Sequence, residues 1–204
     1  MYHKAKLMYK GPTVWDRINS FALVSYIPEP LAGFLDRLRQ ELVPNCFLRA
    51  HVTILPPRPI LSSPEDAWEA IRRVAPEFSP FEIELTSVEV FPVSDVIYIK
   101  VSAGSEELRR MHAAMNISGL YFQEAFPYHP HVTLAQDLKP DELDELASVA
   151  RARWAEFSSS KKLCVEKIVF VQNTRRNAWL DLGECLLGHA ESKLVEDASN
   201  RLVG

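Results

Sequence analysis

HVTIL at residues 51–55 and HVTLA at residues 131–135 decide how the rest of this 204-residue chain is read. Each is a short run with period two, so His51 and Thr53 point to one side and Val52 and Ile54 to the other, and His131 and Thr133 oppose Val132 and Leu134 in the same way. The apolar side packs on a core. The other side presents an imidazole and a hydroxyl two residues apart. Prolines bound both runs, with Pro56, Pro57 and Pro59 after the first and Pro127 and Pro130 before the second. Short strands flanked by proline are poor central members of a parallel sheet, which favours antiparallel pairing.

The segments around the two runs follow one order. Residues 20–27, SFALVSYI, predict a strand that ends at Pro28-Glu29-Pro30. Leu31, Phe34, Leu35, Leu38 and Leu42 then recur at helical spacing until Pro44. After the first HVT run, Ser63 is a candidate N-cap with Pro64 at the first helical position, opening a helix through Trp68, Ile71 and Val74. Residues 81–91 return to period two. The second half predicts a strand at 96–101, a helix at 106–117, the HVT strand, a helix at 140–157, a strand at 163–171, a turn at 173–177 and a closing strand at 178–187. His131 lies 80 residues after His51, Leu163 78 after Leu85, and Phe170 79 after Phe91. Near-constant offsets argue for a duplicated unit, with repeats at about 20–91 and 96–171. The predicted fold class is α+β: a duplicated bilobal fold of two antiparallel sheets, flanked by helices around a central cleft. Residues 20–188 form the expected single bilobal domain, its lobes intertwined. Residues 1–19, with Lys4, Lys6, Lys10 and Arg17, form an N-terminal extension, and 189–204 a helical C-terminal tail.

Composition removes several function classes. With 47% hydrophobic and 25% charged residues the chain reads as globular, and a net charge of -4 argues against a sequence-independent nucleic-acid coat. No apolar run approaches the roughly 20 residues that span a bilayer, and the N-terminus lacks the apolar stretch of a secretory signal, so a cytoplasmic, monomeric protein is expected. Cys46, Cys164 and Cys185 form no CxxC pair and are expected to be reduced. With 7 glycines against 14 prolines, and neither GxGxxG nor GxxxxGK[ST] present, nucleotide cofactors held in those ways are excluded.

Two similar lobes facing each other bring His51, Thr53, His131 and Thr133 to one cleft. Two imidazoles on opposite sides of a substrate suit displacement at phosphorus, one taking a proton from the incoming hydroxyl and the other giving one to the leaving oxygen. With an unperturbed pKa near 6.5, such a pair holds one neutral and one charged member at neutral pH. The threonine hydroxyls donate to the non-bridging oxygens. The arrangement calls for no metal and no cofactor. His129 and His131 form HPH, but Pro130 and the lack of further ligands nearby argue against a metal pair. His112 is expected in the core, and His3 and His189 at the surface. Among Tyr121, Phe122, Phe126 and Tyr128, the best candidates for stacking a base are Phe122 and Tyr128. Arg49 shares the parity of His51, Lys100 that of Tyr98, and Arg175, beside Arg176, sits in a hairpin turn where one guanidinium can reach a phosphate.

Paired HxT motifs 80 residues apart in a duplicated α+β chain resemble the signature of the 2H phosphoesterase superfamily, the 2′-5′ RNA ligase-like and 2′,3′-cyclic phosphodiesterase proteins, and PYHPHVTLA at 127–135 resembles their second-motif context. The resemblance covers about residues 20–188. It implies a bilobal fold and metal-independent chemistry at a ribose 2′ oxygen, with His51 and His131 as the acid/base pair and Thr53 and Thr133 as phosphate-holding hydroxyls. Its implied partner is an RNA end or nucleotide bearing a cyclic phosphate. The alternatives are a small-molecule cyclic phosphodiesterase of the ADP-ribose cyclic phosphate type and a non-catalytic nucleotide- or RNA-binding module. Family members often carry a basic residue soon after the second HxTL; here Ala135 and Gln136 follow, and Arg58 is expected to supply that charge.

Overall fold

A computed structural model describes residues 16–44, 46–188 and 192–194. The chain order is β1 (Arg17–Tyr26), α1 (Leu31–Leu42), β2 (His51–Arg58), α2 (Pro64–Val74), β3 (Phe81–Val90), β4 (Ile97–Val101), α3 (Ser105–Met115), β5 (His131–Ala135), α4 (Leu143–Glu156), β6 (Lys162–Val165), β7 (Lys167–Thr174), β8 (Trp179–Leu186) and β9 (Ser192–Leu194). The fold is α+β, as expected. One sheet runs β2-β1-β7-β8-β9 and the other β5-β4-β3-β6, with every pairing antiparallel.

The internal repeat takes a specific form: the two halves exchange their third strands. In the first sheet β1 lies between β2 and β7, and in the second β4 lies between β5 and β3. Val24 pairs with Thr53 and Val169, and its counterpart Tyr98 pairs with Thr133 and Glu89. Each HxT strand therefore occupies the same place beside its central strand. The partner of β3 in the repeat is β7, from the other half of the chain. Helices cross over as well, since α1 packs against β5 and α4, and α3 against β2 and α2.

This exchange corrects two expectations. The single strand expected at 163–171 is two: β6 pairs with β3 in one sheet and β7 with β1 in the other, parted at Glu166. Leu163 of β6 lies opposite Ile83 of β3, so its alignment with Leu85 marks no structural equivalence. Alternation within an apolar run carries no record of which sheet a strand joins. At the N-terminus β1 begins at Arg17, inside the expected extension; Lys4, Lys6, Lys10 and His3 lie outside the described residues. In the C-terminal segment the three described residues are a strand, with Ser192–Leu194 pairing against Cys185–Gly183. Backbone groups left open on the edge of β8 are met there by a ladder, which a helix could not supply. The rest of that segment, His189 included, lies outside the described residues.

Packing follows the patterns read from the chain. Leu31, Leu35, Leu38 and Leu42 bury one stripe of α1, and Ser63 caps α2 by accepting from the Asp66 N–H at 3.1 Å. On β1, Phe21 and Leu23 face the main core, while Ala22 and Val24 join Val169 and Val171 in a smaller cluster beneath Tyr26 and Trp179. Both faces of β1 are thereby covered. Among the described residues no helix is long and apolar enough to cross a membrane.

Candidate functional site

Both HxT strands deliver their polar faces to one cleft of about 750 Å³, lined by His51, Thr53, His131 and Thr133. The alternation of the strands is the cause: Val52, Ile54, Val132 and Leu134 are fully or almost fully buried in the core, so the intervening residues turn the other way. The two histidines are held alike. His51 Nδ1 lies 2.7 Å from the Arg49 carbonyl oxygen, and His131 Nδ1 lies 2.6 Å from that of His129. A carbonyl only accepts, so each Nδ1 carries the proton and each Nε2 is left for the cleft.

Their surroundings suppress the charged forms. Burial is the chief force on His51, which is 8% exposed, and brings it down to about 4; the Arg49 carbonyl opposes this, and the positive fields of Arg39, His131 and Arg49 add to it. Burial also lowers His131, against the pull of the His129 carbonyl and with help from the His129 ring. Aromatic walls supply the low dielectric. Trp179 sits 5.0 Å from the His51 ring, and Phe91, stacked on Tyr98 at 3.9 Å, meets His131 edge-on at 5.1 Å.

Tyr128 lines the cleft and ties the halves together. Its hydroxyl donates to the Thr53 carbonyl at 2.6 Å, and its ring stacks on His112 at 4.1 Å. His112 Nδ1 in turn donates to the Ile54 carbonyl at 2.9 Å, so this partly buried histidine, expected as a plain core residue, grips the first HxT strand from α3. Phe122 also lines the cleft and is 38% exposed; Asn116 fixes its backbone, accepting from the Phe122 N–H and donating to the Phe122 carbonyl. His129 and Gln136 lie on the cleft wall too. Among the described residues no three His, Cys, Asp or Glu side chains cluster to hold a metal.

The structure corrects the expected phosphate charges. Arg58 is 2% exposed and does not line the cleft; its guanidinium is consumed by Glu124, Asn116 and the carbonyls of Pro56 and Leu120. A buried guanidinium needs such a set of partners, and here the segment between α3 and β5 provides all but the Pro56 carbonyl of β2. Arg49 lies at the rim, over the Tyr26 ring at 3.5 Å and 3.3 Å from Asp181, beside a small side pocket shared with His51 and Trp179. Arg175 and Arg176 are exposed and lie beside Asp16: the backbone N–H of Arg175 donates to the Asp16 carbonyl, and Arg176 Nε is 3.7 Å from the Asp16 carboxylate. Neither lines the cleft. Lys100 is 3.8 Å from Glu89 and also lies outside it.

Among the cleft residues that went unread in the sequence are Arg39, Phe91 and Trp179. Arg39 left a signal, because it sits beside Leu38 and between Leu35 and Leu42 on the buried stripe of α1, where a cation is out of place. Phe91 and Trp179 gave none, being ordinary aromatic residues at strand ends.

A family model described as the 2′-5′ RNA ligase superfamily matches residues 27–177. A protein of Geobacillus kaustophilus named "Putative phosphoesterase GK0864" is 24% identical over 182 residues, covering 84% of this chain and 98% of its own. One of Oceanobacillus iheyensis, OB1230, similarly named, is 34% identical over 79 residues, and that match spans 38% of this chain and 46% of the relative. Among solved structures, E. coli LigT complexed with NADP+ superposes with a TM-score of 0.57 at 15% identity, over 83% of this chain and 97% of that one. The crystal structure of E. coli LigT complexed with 3′-AMP gives 0.57 at 14% identity, over 83% of this chain and 98% of that one.

Proposed function

The chain belongs to the 2′-5′ RNA ligase superfamily, the 2H phosphoesterases, and from that premise we propose that it opens 2′,3′-cyclic phosphates or 2′-linked phosphodiesters on nucleotides or RNA ends by two-histidine acid/base catalysis. The observation that carries this reading is the matched pair of imidazoles, each with Nδ1 tied to the carbonyl two residues earlier and each accompanied by a threonine in the same cleft. That LigT is recorded with 3′-AMP agrees with a nucleotide-sized ligand in such a cleft.

In the hydrolytic direction a water oxygen bonds to phosphorus as the bond to one ribose oxygen breaks. One Nε2 takes the water proton and the other gives a proton to the departing oxygen. Thr53 and Thr133 donate to the non-bridging oxygens, where charge builds. His51 is the better base: burial and the Arg39 field hold it neutral, so its Nε2 lone pair is open at neutral pH. His131 is then the acid, charged once an anionic phosphate enters beside it.

The test is turnover of 2′,3′-cyclic AMP in excess chelator, followed by phosphorus NMR. His51→Ala and His131→Ala should each lower kcat by roughly 10²–10⁴-fold while the circular dichroism of the fold is kept. In wild type, kcat/KM should fall on the acid side near pH 4, where His51 gains its proton, and on the basic side below the usual histidine value, where His131 loses its own. A folded His51→Ala protein with full activity would overturn the assignment.

A further inference from the structure

With Arg58 engaged elsewhere, Arg39 is the one guanidinium or ammonium among the described residues that line the cleft. It is 4% exposed, yet no carboxylate is paired with it among the described residues. One Nη1 donates to the Leu48 carbonyl at 2.7 Å, and Nε is buried with no hydrogen-bond partner. A buried cation left in this state is expensive, and proteins keep one where an anion arrives to meet it. Arg58, at a similar depth, shows what a purely structural guanidinium looks like here: each of its three nitrogens has an acceptor, and one acceptor is a carboxylate. Beside His51, the Trp179 indole N–H is a second buried donor on the cleft wall without a partner.

Arg39 stands on α1, off the two HxT strands, with Val43, Cys46 and Leu48 around it on the cleft wall. The reacting phosphoryl group already has four partners in the histidines and threonines. We propose that Arg39 is a subsite for a second phosphate of the substrate, so that the preferred substrates are cyclic phosphates carrying one further phosphate group. A planar fork with an unused N–H suits that group, and the cleft is large enough to hold more than a nucleoside and one phosphate. This specificity rests on the phosphoesterase reading above.

Two sources could supply the second phosphate, a 5′-phosphate or the internucleotide diester of an RNA end. The full-length protein and its Arg39→Gln and Arg39→Lys variants would be assayed on 2′,3′-cyclic AMP, on its 5′-phosphorylated form, and on the dinucleotide ApA with a 2′,3′-cyclic end. Wild type should show at least a tenfold lower KM for one or both of the doubly phosphorylated substrates. Arg39→Gln should bring the ratio to near one, and Arg39→Lys should restore part of it. Whichever substrate shows the larger wild-type preference identifies the source. Calorimetry with adenosine 3′,5′-bisphosphate against 3′-AMP reads the same preference without turnover, so a protein that proves inactive still reports on the subsite. Equal wild-type KM values and equal affinities would overturn the proposal. So would an Arg39→Gln protein that keeps the wild-type ratio, or one that melts several degrees lower and loses both ligands alike, which would mark Arg39 as structural.

Discussion

The ring of His51 shows how one residue couples stability to chemistry. Its pKa of about 4 in the fold lies below the 6.5 of an unfolded histidine, so between those values the unfolded chain binds a proton that the native one refuses. The stabilising contribution of the neutral ring is complete above about pH 6.5 and is lost as pH falls toward 4, with a slope of up to about 1.4 kcal/mol per pH unit. His131 is lowered too and adds in the same direction. Urea midpoints should therefore fall more steeply from pH 7 to 5 in wild type than in His51→Gln; parallel slopes would refute the burial argument. Glu124 belongs at this scale as well. It supplies the carboxylate for buried Arg58, so Glu124→Ala should cost about 3–5 kcal/mol by chemical denaturation. A loss under 1 kcal/mol would mean that Arg58 finds solvent or another partner.

Among the elements, α2 and β8 meet with little room. Trp68 of α2 lies flat along Phe170 of β7 and passes over Gly183 of β8, where a Cβ would come within 2.7 Å of its ring. The close approach of the Trp68 ring is what requires a glycine at 183. Gly183→Ala should destabilise the protein by about 1–3 kcal/mol and shift the Trp68 fluorescence; a neutral result would show that α2 can slide away. The links between β2, α3 and the loop before β5 work in the other sense, by hydrogen bonds. Tyr128 and His112 hold successive carbonyls of the first HxT strand, so the second half of the chain helps to set the position of the first histidine.

For the molecule as a whole, the exchange of β3 and β7 means that neither sheet can be completed by one half of the chain. β1 would lack β7 along one edge, and β4 would lack β3. Unfolding in urea should therefore be a single transition with coincident midpoints by tryptophan fluorescence and circular dichroism. A fragment of residues 1–91 should lack stable structure when expressed alone. Two separated transitions, or a folded fragment, would show that the lobes are independent units. The same exchange aligns the two histidines, because each HxT strand pairs with a central strand whose other neighbour comes from the opposite half.

How much of this was legible depended on the range of the interaction involved. Alternation in HVTIL and HVTLA determined which side chains leave the core, since period two is a property of the extended backbone itself. Helical spacing located α1 and α2, and the N-cap at Ser63 was readable because a cap acts within three residues. The repeat, and hence two similar sheets, followed from the offset of 80 between the histidines. Tertiary structure alone decided that the run at 163–171 splits between sheets, that Arg58 is consumed by Glu124 from 66 residues away, and that Arg39 faces the cleft without an acidic partner among the described residues. A charged side chain declares only its charge in a sequence. Whether that charge is spent within the protein or kept for a ligand depends on which groups the fold brings beside it, and those groups are distant along the chain.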